Sequence, residues 1–180
     1  MESIKDYLET LQDCWSKVSL LDLQDAVSSV RKTLLAGDKV LIVGNGGSSA
    51  TASHFVNDWV KGLSQTAGKP IRALSLTDNT PTVSALANDL NYESIFSHQI
   101  QTWGVPGDTF LCISGSGKSK NIIEAAKSAK RLNLKVIGLI GFSGSELEKL
   151  CDISFVCNID DMQIIEDMHM SFGHMVLRCS

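Results

Sequence analysis

Apolar residues recur at three-to-four spacing over residues 3–18, where Ile4, Leu8, Leu11, Trp15 and Val18 share one face, and this spacing predicts an amphipathic helix. A second helix is predicted over 22–36, opening at Asp22 and stopped by Ala36-Gly37. The pattern then changes. Residues 40–43 are an unbroken apolar run, read as a buried strand, which empties into Gly44-Asn45-Gly46-Gly47-Ser48-Ser49 ahead of a helically spaced stretch through Lys61. Residues 70–75 form a short second strand, and the loop after it reaches Pro81, which suits a first helical turn. Helices are predicted over 81–88 and 92–103. The turn Pro106-Gly107-Asp108 leads into a third strand, 109–113, then Ser114-Gly115-Ser116-Gly117-Lys118-Ser119 and a helix over 119–132 with Ile122, Ile123, Ala126 and Ala129 inward. A strand at 135–140, a short helix at 145–150, a strand at 153–157 and a long helix at 161–178 follow.

Strands alternating with helices at this spacing imply an α/β fold: a five-stranded parallel sheet with helices on both faces, a three-layer sandwich. Right-handed crossovers place the loops after strands one and three at the carboxyl edge, where such sheets bind ligands. The chain reads as one domain, 1–180, with 1–36 as N-terminal helices and 37–180 as sheet and covering helices. One small sheet cannot easily bury both leading helices, so they are expected to pack partly against another subunit.

Composition narrows the partners. The 180 residues are 43% hydrophobic and 20% charged, ordinary for a globular protein large enough to bury a core. The net charge is −4 and no Lys/Arg block occurs, which argues against nucleic acid and acidic membranes. The five cysteines are scattered, the opening residues are polar, and no apolar run approaches the ~18 residues of a membrane span. The expectation is a cytoplasmic protein with reduced thiols, in which Cys112 and Cys157 serve as small core residues.

The two glycine loops carry the first chemical signal. A strand that delivers a glycine loop to a helix N-terminus lets backbone N–H groups and the helix dipole face an anion. Neither G-x-G-x-x-G nor G-x-x-x-x-G-K-[ST] is present, so dinucleotide and nucleotide-triphosphate fingerprints are absent. The plainer reading of the first loop is a tight turn with Ser48 or Ser49 as N-cap, and of the second a capped helix with a polar turn. Against it, Ser114, Ser116 and Ser119 supply short hydroxyls suited to phosphate, and two such loops meet one sheet edge. His54 and Asp58, four apart, share a face of the helix that starts at the first loop.

Gly44-Asn45-Gly46-Gly47-Ser48, His54, Asn88-Asp89, the serine loop at 114–119 and a last helix ending in His174 resemble the sugar isomerase (SIS) family, in its phosphoheptose isomerase branch. The resemblance spans nearly the whole chain. It implies a flavodoxin-like SIS fold and a homotetramer. It also implies a ketose–aldose isomerase that converts sedoheptulose 7-phosphate to D-glycero-D-manno-heptose 7-phosphate through a metal-assisted enediol. Carried onto this sequence, it assigns the phosphate and sugar to Asn45, Gly46, Gly47, Ser48, Asp78, Asn88, Ser114, Ser116 and Ser119. A divalent metal, Zn²⁺ foremost, falls to His54, Asp58, Glu166 and His174. Asp58 is the expected base, His174 the partner acid, and Asp89 a further active-site carboxylate.

Two of these positions depart from the family. Asp58 stands where the family has glutamate, retracting the carboxylate by ~1.5 Å, and Glu166 stands where it has glutamine. Two carboxylates and two imidazoles still suit a divalent ion, though with weaker Lewis acidity. Spacing adds a constraint: Glu166 and His174 are eight apart, a rise of roughly 12 Å on a straight helix. Glu166 and His169 are the easier pair, yet the family pattern skips His169, which reads as structural. The expectation is therefore a site shared between subunits. The alternative class is a non-catalytic SIS protein, a sugar-phosphate receptor or an adaptor of the type that associates with a replication initiator. His98 reads as a surface or interface residue, and Asp160-Asp161 as the cap of the last helix.

Overall fold

The computed structural model describes residues 3–179; residues 1, 2 and 180, at the outer bounds of the predicted domain, lie outside the described residues. The chain opens with α1 (Ile4–Lys17) and α2 (Leu20–Ala36), each capped by a serine, Ser3 and Ser19, whose hydroxyl accepts an N–H of the first turn. Strand β1 (Lys39–Gly44) leads to α3 (Gly47–Asp58), which runs on through a π-helical turn (Trp59–Leu63) into the short α4 (Ser64–Ala67). Then come β2 (Arg72–Ser75), α5 (Thr80–Asp89), a 3₁₀ turn (Tyr92–Ser94), α6 (Ile95–Trp103), β3 (Thr109–Ser114) and α7 (Lys120–Arg131). Strand β4 (Lys135–Ile140), a 3₁₀ turn (Glu148–Leu150), β5 (Ile153–Val156) and α8 (Met162–Arg178) follow. Among the described residues no helix is long and apolar enough to cross a membrane.

The five strands form one parallel sheet in the order β2-β1-β3-β4-β5. Strand order reverses between β1 and β3, because β1 hands the chain to β2 on one side and β3 continues on the other. Ligands of such sheets bind at this crevice, beyond the carboxyl ends. The central strands carry continuous apolar runs between their ends because both faces are covered. Val40, Ile42, Leu111, Ile113, Ile137 and Leu139 pack under α2, α3 and α8, while Leu41, Val43, Phe110, Cys112, Val136 and Ile140 pack under α6 and α7.

The two leading helices divide. α2 lies on the sheet and buries Leu23, Ala26, Val27, Val30 and Leu34. α1 is peripheral: only Cys14 is buried, Trp15 stacks on Phe155 at 5.9 Å, and the Tyr7 hydroxyl donates to Asp167 at 2.8 Å. Ile4, Leu8, Leu20 and Leu21 remain exposed. The stretch 145–150, predicted as a helix, makes only the 3₁₀ turn, since Ser145 caps Glu148 and Gly144 enters at positive φ. Asp161 caps α8, accepting from the N–H groups of Gln163 and Ile164, as the sequence predicts for the Asp160-Asp161 pair.

Candidate functional site

Two helices set the geometry. α3 and α8 run side by side in the same direction, and their contacts advance together along the seam. Glu166 lies over Gly47, Gly173 over Phe55, His174 beside His54 and Leu177 against Gly62. A Cβ at Gly173 would sit 2.1 Å from the Phe55 ring, so only glycine lets the helices approach this closely. The Trp59 indole N–H donates to the Gly173 carbonyl at 3.0 Å from a fully buried ring. That anchor falls in the π turn, directly after Asp58. Irregular turns of this kind re-aim side chains at functional positions.

At the amino end of the seam lies a cavity of about 150 Å³ formed by both glycine loops. Ser48, Ser114, Ser116 and Ser119 line it, together with Asn45 and Glu166. The first loop is tightened beyond what a side chain permits: a Cβ at Gly44 would lie 2.3 Å from the Ser48 carbonyl oxygen. Neither Ser48 nor Ser49 caps α3. The cap is Gly46, with no side-chain bond, and the Ser49 hydroxyl donates to the Gly46 carbonyl at 2.7 Å. Ser119 occupies the N-cap of α7, yet its hydroxyl makes no capping bond. Ser114 and Ser116 act as acceptors, from the N–H of Gly117 at 3.1 Å and of Lys118 at 3.2 Å. An accepting hydroxyl still has its own proton to donate, so each serine offers a donor to an anion.

Further along the seam, His54, Asp58 and His174 converge. The two Nε2 atoms are 3.2 Å apart, and Asp58 Oδ2 lies 3.4 Å from His54 Nε2 and 3.7 Å from His174 Nε2. A tetrahedral Zn²⁺ with ligands at about 2.0–2.1 Å requires donor atoms roughly 3.4 Å apart. Two imidazoles and one carboxylate at these separations fit a divalent ion. Glu166 is not among them. Its carboxylate faces Gly47, about two helical turns back from His174 along the uninterrupted α8. His54 and His174 meet within one chain, so no second subunit is needed to bring these three together.

The remaining expected residues are distributed around this axis. Asp78 accepts from Ser53, the residue before His54, at 2.5 Å. Asn88 donates to Asp89 at 2.8 Å on the exposed end of α5; among the described residues their side chains bond each other rather than the cluster. His98 is exposed. His169, one face away from His174 on α8, is buried edge-on against Phe155 at 6.3 Å, and neither ring nitrogen has a hydrogen-bond partner. Burial lowers its pKa to about 4, and the nearby Ile140 carbonyl offsets little of this. Sequence reasoning passed over Asn121 and Tyr92, whose side chains bond Asn45. The available signal was an asparagine among the inward Ile122 and Ile123 at the start of the helix after the serine loop.

The α/β domain carries a serine-lined cavity at the β1/β3 crevice, and its class is given by residues 6–141, which match the SIS domain family. The chain is 38% identical to the phosphoheptose isomerase of Campylobacter concisus, over 96% of this chain and 92% of that protein. The solved phosphoheptose isomerase of Francisella tularensis superposes with a TM-score of 0.89 at 29% identity, covering 97% and 94% of the two chains. That of Neisseria gonorrhoeae gives 0.86 at 28% identity, covering 96% and 91%. The chain belongs to the SIS domain family, in its phosphoheptose isomerase branch.

Proposed function

We propose that the protein is a ketose–aldose isomerase that converts sedoheptulose 7-phosphate to D-glycero-D-manno-heptose 7-phosphate, with the whole chain acting as one SIS domain. The observation that carries this reading is the convergence of His54, Asp58 and His174 on one seam with the serine cavity. Seven residues of α3 separate Gly47 from His54, a rise of roughly 10 Å. An extended seven-carbon chain, with bonds of about 1.5 Å in zigzag, spans roughly 8 Å before its phosphate is added. The spacing suits a heptose phosphate held at one end and altered at the other.

In this reading Ser48, Ser114, Ser116 and Ser119 donate to the phosphate, and Gly46 and Gly47 let the backbone approach it. Binding energy from that remote end aligns the reacting carbons. Asp58 removes a proton from C1 of the ketose while O2 gains one, leaving the C1–C2 enediol. Asp58 then returns its proton to C2, and O1 loses its own, giving the aldose. With Nε2 turned to the cluster, His174 has Nδ1 left to move the proton between oxygens. Asn45, Asp78, Asn88 and Asp89 are the candidate contacts for sugar hydroxyls. His54, Asp58 and His174 would hold a divalent metal, Zn²⁺ foremost, which supplies polarisation of the carbonyl oxygen. Assembly as a homotetramer is supported by the exposed apolar side chains of Ile4, Leu8, Leu20 and Leu21. A cytoplasmic setting is supported by the five unpaired cysteines.

The test is incubation of the purified protein, loaded with Zn²⁺, with sedoheptulose 7-phosphate, following the aldose by NMR. Conversion is expected. Binding of the sugar phosphate with no conversion would overturn the isomerase and leave a non-catalytic receptor.

A further inference from the structure

Asn45 joins the first glycine loop to the cavity, and its amide is held in one orientation by a chain of bonds that begins in another helix. The backbone N–H of Ile122, which can only donate, is shared between the Ser119 carbonyl at 3.1 Å and Asn121 Oδ1 at 3.0 Å. That contact fixes which end of the Asn121 amide is oxygen. Asn121 Oδ1 also accepts from Asn45 Nδ2 at 3.0 Å, and Asn121 Nδ2 donates to Asn45 Oδ1 at 2.9 Å. The Tyr92 hydroxyl donates to the same Asn45 oxygen at 3.1 Å. Both lone pairs of Asn45 Oδ1 are then occupied and one of its two N–H donors is in use. One N–H remains. Asn45 can therefore meet a ligand only as a donor.

Asn121 is 2% exposed, at the start of α7, and a buried side-chain amide is kept in place by such pairings. The ion pair of Lys120 with Glu93 at 3.1 Å joins the same two elements one residue from each partner. The loop after β1 and the first turn of α7, which follows the loop after β3, are thus cross-linked by side chains 76 positions apart, beside the cavity.

We infer that Asn121 and Tyr92 are positioning residues: they lock Asn45 as a hydrogen-bond donor toward an oxygen of the bound sugar phosphate and fix the gap between the two loops. The inference rests on the proposed sugar-phosphate site. Neither residue touches the reacting carbons, so both act on binding and leave the chemical step alone. Losing an oriented donor to a charged ligand weakens binding by about tenfold.

The experiment is a double-mutant cycle read by titration calorimetry with sedoheptulose 7-phosphate and, separately, with inorganic phosphate. Asn121→Ala is expected to weaken sugar-phosphate binding by about tenfold, and Tyr92→Phe by roughly threefold, with kcat within about twofold in both. In an Asn45→Ala background, neither change should weaken binding further. Should Asn121→Ala fail to fold, the Asn45/Tyr92 cycle carries the same test at an exposed position. Additive losses, or a fall in kcat with unchanged KM, overturn the inference while wild-type binding stands. Wild-type protein that binds neither probe overturns the functional reading and this inference with it.

Discussion

The two ends of the α3–α8 seam are built from different materials. At the serine cavity the candidate groups are short hydroxyls whose places are set by the backbone: a loop drawn tight at Gly44, and serines that hold their own loop while keeping a proton to donate. At the other end three side chains, those of His54, Asp58 and His174, meet. A backbone-made site fails when the chain cannot follow its path, whereas a side-chain-made site fails one atom at a time. Each end should therefore be removable without the other.

The largest expected effect is at the side-chain end. Asp58→Ala should lower turnover of sedoheptulose 7-phosphate by about 10²- to 10⁴-fold, the worth of a positioned base. It should also strip stoichiometric zinc, while inorganic phosphate binds as in wild type. Calorimetry beside a turnover assay checks this. Phosphate affinity that collapses together with turnover would show that the ends are not separable.

Between the two ends α8 buries His169, and its imidazole provides the next effect. Its pKa in the fold is about 4, against an ordinary 6.5, because burial disfavours the charged ring. Above pH 6.5 the ring is neutral in both folded and unfolded chains. As pH falls from 6.5 to 4 the unfolded chain takes up a proton that the fold refuses, so stability is lost across that window, by about 3 kcal/mol. Urea midpoints at pH 7 and pH 4.5 measure it. His169→Leu should be less sensitive to acid than wild type by that share; an unchanged slope would mean that the ring finds a proton acceptor.

A smaller effect breaks the backbone-made end. Gly44→Ala places a methyl group against the Ser48 carbonyl, which is main chain and cannot swing aside. Overpacking of this kind costs about 1–3 kcal/mol, and here it falls on the loop that forms the cavity. Phosphate binding should weaken by about tenfold or more with zinc retained. Equal phosphate affinity would place the anion elsewhere.

The same division governs what was legible before the fold was known. The strands were legible because burial on both faces leaves continuous apolar runs, so 135–140 coincides with β4 and 109–113 falls one residue short of β3. The serine loop was legible because its chemistry is local. The π turn after Asp58 was not: it holds Trp59, whose indole bonds the Gly173 carbonyl across the seam, and periodicity carries no trace of that bond. Nor was the Asn45–Asn121 pair, whose members lie 76 positions apart, one in the first glycine loop and one at the start of α7. His54 and His174 were paired only through the resemblance to the SIS family. Spacing alone indicated, correctly, that Glu166 and His174 lie far apart on one helix, and the inference drawn from it was a second subunit. In the structure Glu166 sits instead at the serine cavity, facing Gly47.

Glu166 is therefore the residue that sharpens the contrast most finely. Its carboxylate lines the serine cavity, so it would oppose the charge of the phosphate proposed to bind there. A like charge a few ångströms away across partly solvated space costs about 1 kcal/mol. Glu166→Gln should accordingly tighten inorganic phosphate by roughly fivefold, less at high salt, and leave zinc content unchanged, because the ion's three ligands lie two turns further along. Zinc lost in this variant would return Glu166 to the metal and join the two ends of the seam through one side chain. Zinc kept and phosphate tightened would assign this carboxylate to the anion end, where it tempers binding of the charge that the serines attract.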